Sequence, residues 1–201
     1  HAHRRELPRA CPWTTHGIRL AIAVGLVIVG GVDTMNDIFM YMCFSKTPAL
    51  SPTGDARPFD AEGDGTVLGE GIGVIVLKRW EDAVRDGDRI YSRILSVGTS
   101  SDGKGAAIYA PTSPGQQRAL RDGYELAGVS PETIQLVEAH GTGTAVGDAT
   151  ELKALDELYR QSGARPGSVA LGSVKSQIGQ PATRDPRARS LGRLGRSVPN
   201  Q

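Results

Sequence analysis

The 201-residue sequence predicts an α/β fold in which strands and helices alternate along the chain. The clearest evidence is an apolar run at 134–137, which ends in a glycine-rich turn and is followed by helical spacing over 149–159. Glycine is frequent, at 26 residues, whereas aromatic residues make up only 5%. These observations favour a loop-rich protein with helices packed on sheet, because an apolar content of 39% is too high for a disordered chain.

Charge and cysteine content exclude several classes of protein. The chain has 23 basic and 22 acidic residues, so its net charge gives no attraction to nucleic acid or to an acidic membrane surface. The two cysteines, Cys11 and Cys43, do not suggest a disulfide framework, which favours a cytoplasmic location. A chain of this length is long enough to form one hydrophobic core.

The first apolar run follows a basic segment, residues 1–25, and superficially matches a secretory signal. The run, 20–32, continues into a pair of glycines without a convincing cleavage site. It is also shorter than the roughly 20 residues that a membrane span needs. We therefore expect no signal peptide and no membrane span, and we expect 26–29 to be a central strand of a parallel sheet.

Residues 36–45 have the spacing of a helix with one apolar stripe. Cys43 lies in this helix, and a cysteine among Met and Phe is expected to be a small core residue. The following segment, 47–65, is a Pro-, Gly- and Asp-rich loop in which Arg57 and Asp60 are candidates for an ion pair. The members of the stripe are Met35, Ile38, Phe39 and Met42.

The rest of the chain alternates between strand and helix patterns. Gly128 follows a helical segment and is expected to be its C-cap. A short helical turn is expected at 130–132, and one face of the last long helix contains three leucines, Leu152, Leu155 and Leu158. Strands are expected at 73–77, 90–97, 134–137 and 168–172, and helices at 80–86, 114–127 and 149–159.

Two glycine-rich segments superficially match nucleotide-binding loops. In the first segment, which contains Gly63, Gly65 and Gly69, the spacing between the last two glycines is one residue too long for a dinucleotide fingerprint. This segment is followed by a predicted strand, whereas a phosphate-binding loop is followed by a helix. The segment 98–104 has P-loop spacing, but Gly105 stands where a magnesium-binding hydroxyl should follow. We therefore expect no nucleotide site in either segment.

The most informative stretch is 137–148, which contains one histidine, two threonines and three glycines. A strand, a glycine-rich turn and a helix commonly present a reactive side chain at the carboxyl edge of a sheet. On spacing alone, His140 fits a catalytic role and an ordinary hydrogen-bonding role equally well. Asp148 is expected to be the N-cap of the helix that follows.

Several motifs in this sequence, taken together and in order, resemble the carboxyl-terminal half of a β-ketoacyl synthase. They are Gly30-Gly31-Val32-Asp33, Arg57-Pro58-Phe59-Asp60, Asp64-Gly65, Gly69-Glu70-Gly71, Glu138-Ala139-His140-Gly141-Thr142-Gly143-Thr144, Gly147-Asp148, Glu151 and Val174-Lys175-Ser176-Gln177-Ile178-Gly179. They are most similar to the ketosynthases of polyketide and polyunsaturated fatty acid synthases. The resemblance defines a partial ketosynthase domain at 26–179, between non-matching segments at 1–25 and 180–201. The second of these is rich in Arg, Pro, Ser and Gly and is expected to be disordered.

The resemblance implies an incomplete thiolase-like fold, built as a layered sheet with helices. It implies decarboxylative condensation of malonyl and acyl thioesters in fatty acid or polyketide biosynthesis. No tightly bound cofactor and no metal are expected, since the phosphopantetheine arm of an acyl carrier protein presents the substrate. This carrier protein is the expected partner, a homodimer is a further expectation, and neither nucleic acid nor membrane is expected to bind.

The resemblance also implies roles for individual residues. His140 matches the first of two histidines that stabilise an enolate, and Lys175 matches the lysine that supports the site electrostatically. Thr142 and Thr144 match hydroxyls that contact the pantetheine arm. The polar network that holds the lysine and the histidine is matched by Asp148 and Glu151.

Two catalytic positions of the family differ in this sequence. The nucleophilic cysteine should lie near the first few residues, where there is none, and Cys11 lies too close to the strand and has unmatched neighbours. Gln180 stands directly after Gly179, where the second histidine belongs, and an amide cannot titrate. We therefore expect the chain to be inactive in condensation, and the alternative is a catalytically dead folding or association module. We expect residues 1–25 and 180–201 to be encoded by a shifted reading frame or by a truncated gene segment.

The incomplete fold is expected to leave sheet edges and apolar faces exposed, which predicts poor solubility.

Overall fold

The computed structural model describes residues 25–34, 36–101 and 112–181, together with the backbone of 195–197. Some expectations fall outside the described residues, namely those for 1–24 including Cys11, for Met35, for 102–105 of the P-loop-like segment, and for the tail at 182–194 and 198–201. The helices of the described part are α1 Ile38–Lys46, α2 Trp80–Arg85, α3 Ser113–Ala127, α4 Ala145–Gln161 and α5 Lys175–Ile178, with a 3₁₀ turn at Pro131–Thr133. The strands are β1 Leu26–Asp33, β2 Leu68–Gly69, β3 Gly71–Lys78, β4 Ser92–Ile94, β5 Leu136–Glu138, β6 Ala170–Gly172, β7 Gln180–Pro181 and β8 Gly195–Ser197.

The described strands form separate two-stranded pairs. Strand β1 pairs antiparallel with β3, and β4 pairs antiparallel with β8. The pairs β2–β7 and β5–β6 are parallel. The expectation that 26–29 is a central strand of a parallel sheet is therefore wrong, since its only partner among the described strands is the antiparallel β3. An apolar run predicts a strand but does not identify the neighbour or its direction.

The β1–β3 pair has one face that is exposed along its length. Its register places Ile28 opposite Val76 and Val32 opposite Ile72, so these four side chains lie on the same face. Each of them is between 62% and 72% exposed. We call this surface the apolar ribbon face, and its members are Leu26, Ile28, Val32, Ile72, Val74 and Val76. Neither strand of the pair contributes a buried residue to the core.

Helix α1 is also uncovered within the described part of the chain. Asp37 caps its N-terminus through the side chain, and none of the helix residues is buried. The predicted apolar stripe faces solvent, with Ile38 exposed by 69% and Phe39 by 71%. Cys43 is exposed as well, so the expectation of a core cysteine is wrong. Helical spacing predicts an apolar face, but it does not show whether another element covers that face.

The largest hydrophobic cluster of the described residues lies where α3 packs against α4. Its buried members are Tyr124, Leu155, Leu158 and Tyr159. Val137 of β5 and Val169, next to β6, pack against this cluster, so the core supports both strands of the parallel pair. Leu155 and Leu158 are buried as the helical spacing predicts, whereas Leu152 is 46% exposed.

Helix α3 follows local sequence rules at both ends. The Thr112 hydroxyl accepts a hydrogen bond from the Gly115 amide at 3.3 Å, and Pro114 lies in the first turn. Gly128 ends the helix with a φ of 62°, in the left-handed region that favours glycine. The prediction of a helix over 114–127 with Gly128 as its C-cap is confirmed.

The other predicted elements are present with shifted bounds. The strand expected at 90–97 is reduced to β4, and the strand expected at 168–172 is reduced to β6. The helix expected at 80–86 is α2, and the strand expected at 73–77 lies within β3. Among the described residues, no helix has the length and apolar character needed to cross a membrane.

The tail 180–201, which we expect to be disordered, contains two short described strands. Gln180 and Pro181 form β7 beside β2, and β8 lies beside β4. The rest of the tail lies outside the described residues, so its expected disorder stays a prediction.

Candidate active site

The site lies at the carboxyl ends of the parallel strands β5 and β6. In register, Glu138 at the end of β5 lies opposite Gly172 at the end of β6. The Ala139 amide extends this pairing by donating to the Gly172 carbonyl at 2.8 Å. The next residue after Ala139 is His140, while Lys175 begins α5 just after β6. Parallel pairing thus brings together two residues that are far apart in sequence.

Lys175 and His140 are in direct contact. The Lys175 Nζ donates to the His140 carbonyl oxygen at 2.6 Å and lies 3.4 Å from the imidazole Nδ1. An ammonium that donates to Nδ1 leaves the proton of a neutral imidazole on Nε2. This arrangement favours a histidine whose Nε2–H is a hydrogen-bond donor.

The backbone around His140 is fixed by Glu151 of α4. One carboxylate oxygen accepts from the His140 amide at 2.7 Å, and the other accepts from the Gly141 amide at 2.9 Å. Charged acceptors make strong hydrogen bonds with backbone amides, so this double contact holds the turn on the helix. The structure therefore places Glu151 in contact with the backbone of the histidine turn.

Asp148 and the two threonines form a second polar group in the same turn. The hydroxyls of Thr142 and Thr144 lie 2.8 Å apart, and Thr142 also approaches Asp148 Oδ1 at 3.4 Å. The same oxygen accepts from the Gly143 amide at 3.1 Å. Asp148 is buried in the first turn of α4, and the N-cap of this helix is Thr144. The expectation that Asp148 is the N-cap is therefore wrong, because the helix begins earlier and the carboxylate binds the preceding turn.

The loop 47–65 reaches this turn through Asp148. Its Oδ2 accepts from the Phe59 amide at 2.8 Å, although the two residues are 89 positions apart. Phe59 has a φ of 64°, an uncommon left-handed conformation for a bulky residue. A Cβ atom on Gly143, whose φ is 77°, would lie 2.5 Å from the Gly65 carbonyl oxygen. Glycine at this position therefore permits the loop and the turn to pack together.

Arg57 is held by partners that its spacing did not predict. Its guanidinium pairs with Asp55 at 2.9 Å and with Glu62 at 3.3 Å. Asp60 instead accepts from the Glu62 backbone amide at 2.8 Å. The prediction of an Arg57–Asp60 ion pair is therefore wrong, because the Asp60 carboxylate accepts from a backbone amide within its own turn.

A groove of about 400 Å³ lies between this loop and the segment that contains Lys175. Its lining includes Asp55, Arg57, Leu68, Lys175 and Gly179. Thr142 and Thr144 are not part of this lining. The groove therefore gives solvent access beside the lysine rather than beside the threonine hydroxyls.

The charge state of Lys175 is set by opposing effects. Burial lowers the pKa of its ammonium below the usual value, while the negative charges of Glu151, Glu138 and Asp148 act to raise it. The carboxylates therefore stabilise a partly buried cation close to the histidine.

Two further residues in the site were not predicted as site residues. The Ser173 hydroxyl lies 3.4 Å from both the His140 and the Gly141 carbonyl oxygens. The Glu138 carboxylate accepts from the Val174 amide at 2.7 Å. Glu138 is part of the histidine motif, but the motif alone does not show that its side chain reaches the lysine segment.

The position expected for the second histidine lies in β7. The Gln180 backbone amide donates to the Val67 carbonyl oxygen at 2.6 Å, in line with the pairing of β7 and β2. Cys43 is on the exposed helix α1. In the described ranges, no group of three His, Cys, Asp or Glu side chains is arranged to hold a metal ion.

Comparison with known protein families identifies the class to which this fold and site belong. The model for the beta-ketoacyl synthase N-terminal domain matches residues 21–83, and the model for the C-terminal domain of the same enzymes matches residues 91–183. These matches extend slightly beyond the expected limits of 26 and 179. The chain therefore belongs to the β-ketoacyl synthase family, as its motifs predict.

Relatives and solved structures place the chain among ketosynthase domains. It is 49% identical over 156 residues to a polyunsaturated fatty acid synthase polypeptide of Thraustochytrium sp., covering 77% of this chain and 6% of the relative. It is 42% identical over 154 residues to a phenolphthiocerol/phthiocerol polyketide synthase polypeptide of Mycobacterium tuberculosis, covering 77% and 8%. The ketosynthase from module 6 of the bacillaene synthase of Bacillus subtilis 168 matches with a TM-score of 0.79 and 40% identity, covering 83% of this chain and 30% of that one.

These structural neighbours confirm the predicted α/β fold of the thiolase-like type. The chain is a ketosynthase domain sequence of the polyketide and polyunsaturated fatty acid synthase kind. It spans about a third of the solved ketosynthase chains and less than a tenth of the curated synthases reported above.

Proposed function

We propose that this chain contains the enolate-stabilising part of a condensing site that acts on malonyl and acyl thioesters. The supporting observation is the contact between Lys175 and His140 at the carboxyl ends of β5 and β6. In decarboxylative condensation, the malonyl C–C bond breaks, carbon dioxide leaves, and the electron pair forms a thioester enolate. That carbanion equivalent attacks the carbonyl of an acyl thioester, and the sulfur that held the acyl group leaves as a thiolate while the product stays on the carrier protein.

His140 is the proposed donor to the developing enolate oxygen. Its Nδ1 faces the Lys175 ammonium at 3.4 Å, which favours the tautomer that has its proton on Nε2, the form that can donate to a thioester oxygen. The loss of one such donor in an oxyanion site lowers a rate about 10²- to 10³-fold. The Lys175 ammonium adds positive charge beside the same turn, which favours the negative charge that forms in the reaction.

The remaining site residues have supporting roles in the proposal. Thr142 and Thr144 are the proposed contacts for a phosphopantetheine arm, because their hydroxyls are adjacent and partly exposed in the turn after His140. Asp148 and Glu151 hold that turn by accepting backbone amides. The proposed partner is an acyl carrier protein, and a cytoplasmic site of action belongs to the same proposal.

We further propose that the chain by itself does not complete condensation. Gln180 lies within the family match, at the position where the motif requires a second histidine, and an amide is a weaker and non-titrating donor. Of the two thiols in the sequence, Cys43 lies on the exposed helix α1, and the sequence neighbours of Cys11 do not match the family's nucleophile motif. The proposal therefore assigns neither thiol as the thiolate that would hold the acyl group.

The test separates decarboxylation from condensation. Carbon dioxide release from malonyl carrier protein is measured for the chain, for Gln180→His, and for Gln180→His combined with His140→Ala. We expect Gln180→His to raise the release, and we expect the added His140→Ala to lower it by about 10²-fold. Glu132→Gln, on the 3₁₀ turn, is the matched control and should change nothing.

Equal release by Gln180→His with and without His140 would contradict the role of the imidazole. A 3-oxoacyl product from the unmodified chain and an acyl donor would contradict the proposed lack of condensation. In that case, iodoacetamide labelling would show whether Cys11 or Cys43 holds the acyl group.

A second function, association with another chain, is favoured by the apolar ribbon face. Within the described ranges no element covers this face. An exposed apolar face is typical of surfaces that pair with protein, and an isolated two-stranded ribbon is only marginally stable in water. We propose that the chain self-associates through this face, which is the expected homodimer. Light scattering should show dimers or larger species, and Ile28→Lys with Val74→Lys should shift them to monomers. A monodisperse monomer of the unmodified chain would contradict the proposal.

A further inference from the structure

We propose that Glu138 is a positioning residue for Lys175, and this proposal rests on the function proposed above. Its carboxylate accepts from the Val174 amide at 2.7 Å, immediately before the lysine. It thereby fixes the backbone from which the Lys175 side chain extends to the His140 carbonyl oxygen.

The position of Glu138 in the sheet makes this contact specific. Glu138 is the last residue of β5, opposite Gly172 at the end of β6, and its side chain crosses to the segment that follows the neighbouring strand. The two bonded residues are 36 positions apart, so the contact ties together two turns that only the parallel pair brings close. A carboxylate is a strong acceptor for a backbone amide at such a point.

The backbone hydrogen bonds within α5 are local. The amides of Gln177 and Ile178 both donate to the Val174 carbonyl, at 2.9 and 3.2 Å. These bonds shape α5, but they do not fix it relative to β5. The Glu138–Val174 bond therefore anchors the start of this short helix to the strand that leads to the histidine.

The contacts around the lysine form a closed path. Glu138 holds Val174, the Lys175 ammonium holds the His140 carbonyl, and Glu151 holds the His140 amide. The two carboxylates thus fix the backbone on both sides of one ammonium group. A shift at either end of this path moves the ammonium relative to the imidazole.

Glu138 also contributes charge at the same place. The negative groups that face Lys175 are Glu138, Glu151 and Asp148, and each acts to raise the pKa of the lysine against the effect of burial. From the loop side, the groove that contains Lys175 is lined by Asp55 and Arg57, which are paired with each other. Loss of the Glu138 charge should therefore lower the pKa of Lys175.

The experiment separates the hydrogen bond from the charge. Glu138→Gln keeps a carbonyl acceptor for Val174 and removes the charge, whereas Glu138→Ala removes both. The pKa of Lys175 is followed by ¹³C NMR of lysine-labelled chain, in which the five lysines of the sequence give few signals and Lys175→Met assigns the one of interest. Hydrogen exchange at the Val174 amide reports the bond.

Both variants are expected to lower the pKa of Lys175. Amide exchange at Val174 should stay close to that of the parent in Glu138→Gln and become about tenfold faster in Glu138→Ala. The matched control, Glu132→Gln, removes a carboxylate from the 3₁₀ turn before β5 and should change neither quantity.

An unchanged pKa of Lys175 in folded Glu138→Gln would overturn the proposal, as would unchanged Val174 exchange in folded Glu138→Ala. If the alanine variant does not fold, the titration of Glu138→Gln decides alone. Neither measurement needs substrate. The two proposals can therefore fail separately. If the pKa of Lys175 changes as expected but carbon dioxide release does not depend on His140, the positioning role of Glu138 is kept and the proposed function is wrong.

Discussion

The two halves of the described chain have similar apolar patterns, but only one half packs its apolar side chains into a buried cluster. The C-terminal half, from α3 to β7, has a buried cluster between α3 and α4 and contains the histidine and lysine turns; the cluster consists of Tyr124, Leu155, Leu158 and Tyr159. The N-terminal half exposes the apolar ribbon face and the stripe on α1. The candidate site therefore lies in the half that has a core of its own.

The difference follows from what each element can pack against. Helices α3 and α4 pack against each other in the described chain and support β5 and β6 through Val137 and Val169. The β1–β3 ribbon has two strands and no described helix that buries its apolar face. A two-stranded ribbon in water is marginally stable without such a cover.

The largest expected effect concerns the core of the C-terminal half. Leu158 is 5% exposed and belongs to the buried cluster, so Leu158→Ala should lower the free energy of unfolding by about 2–5 kcal/mol. Ile28→Ala on the apolar ribbon face, where the side chain is 68% exposed, is the matched control, and in the dissociated, monomeric chain it should change this free energy by less than about 0.5 kcal/mol. Urea unfolding followed by circular dichroism measures both.

Equal losses in the two variants would remove the contrast between the halves. In the monomeric chain they would indicate that another part of the same chain covers the ribbon in solution.

A smaller effect is expected from the polar connection between the site turn and the 47–65 loop. The two carboxylate oxygens of Asp148 accept from the Phe59 and Gly143 amides. In Asp148→Asn, the side chain has only one acceptor oxygen, which is uncharged, so one of these two hydrogen bonds is lost. The free energy of unfolding should fall by about 1–3 kcal/mol. Asp156→Asn, in an exposed ion pair with Arg160 on the same helix, should cost at most about 0.5 kcal/mol.

Chemical denaturation of the two aspartate variants gives this comparison directly. Should the Asp156 variant lose as much stability as the Asp148 variant, the turn is not held by the buried carboxylate.

The tyrosine pair should have the smallest effect on the free energy of unfolding at neutral pH. Its contribution to that free energy changes only at alkaline pH. The hydroxyls of Tyr124 and Tyr159 are 2.7 Å apart and their rings meet edge to face. Burial raises the pKa of both phenols above about 10, and the mutual hydrogen bond raises that of Tyr159 further while it opposes the shift of Tyr124. The folded chain therefore retains protons that the unfolded chain releases above pH of about 10, so stability is full below that pH and falls as pH rises through it.

Thermal melts across this pH range should show a steeper loss for the parent than for Tyr159→Phe. Tyr91→Phe, at a tyrosine that is 75% exposed, is the matched control and should leave the slope unchanged. A parent that melts at the same temperature on both sides of that pH would contradict the buried pair.

The sequence predicted those elements whose signals are local. Thr112, Pro114 and Gly128 define α3 because capping and turn preferences act within a few residues. The strand, turn and helix around His140 were predicted for the same reason, and ordered motifs were sufficient to identify the family. Helix bounds near Asp148 were less accurate, since the buried carboxylate binds Gly143 and Phe59 rather than capping the helix.

By itself, the sequence determined the family and the order of most elements, and it predicted several residues of the candidate site. Tertiary structure alone decided that β1 has an antiparallel partner, that Cys43 is exposed and that Arg57 pairs with Asp55 and Glu62. It alone also brought Glu138 to Val174 and Lys175 to His140. The physical reason is that periodicity and capping are local properties of the chain, whereas strand partners, burial and contacts between distant turns depend on which surfaces meet.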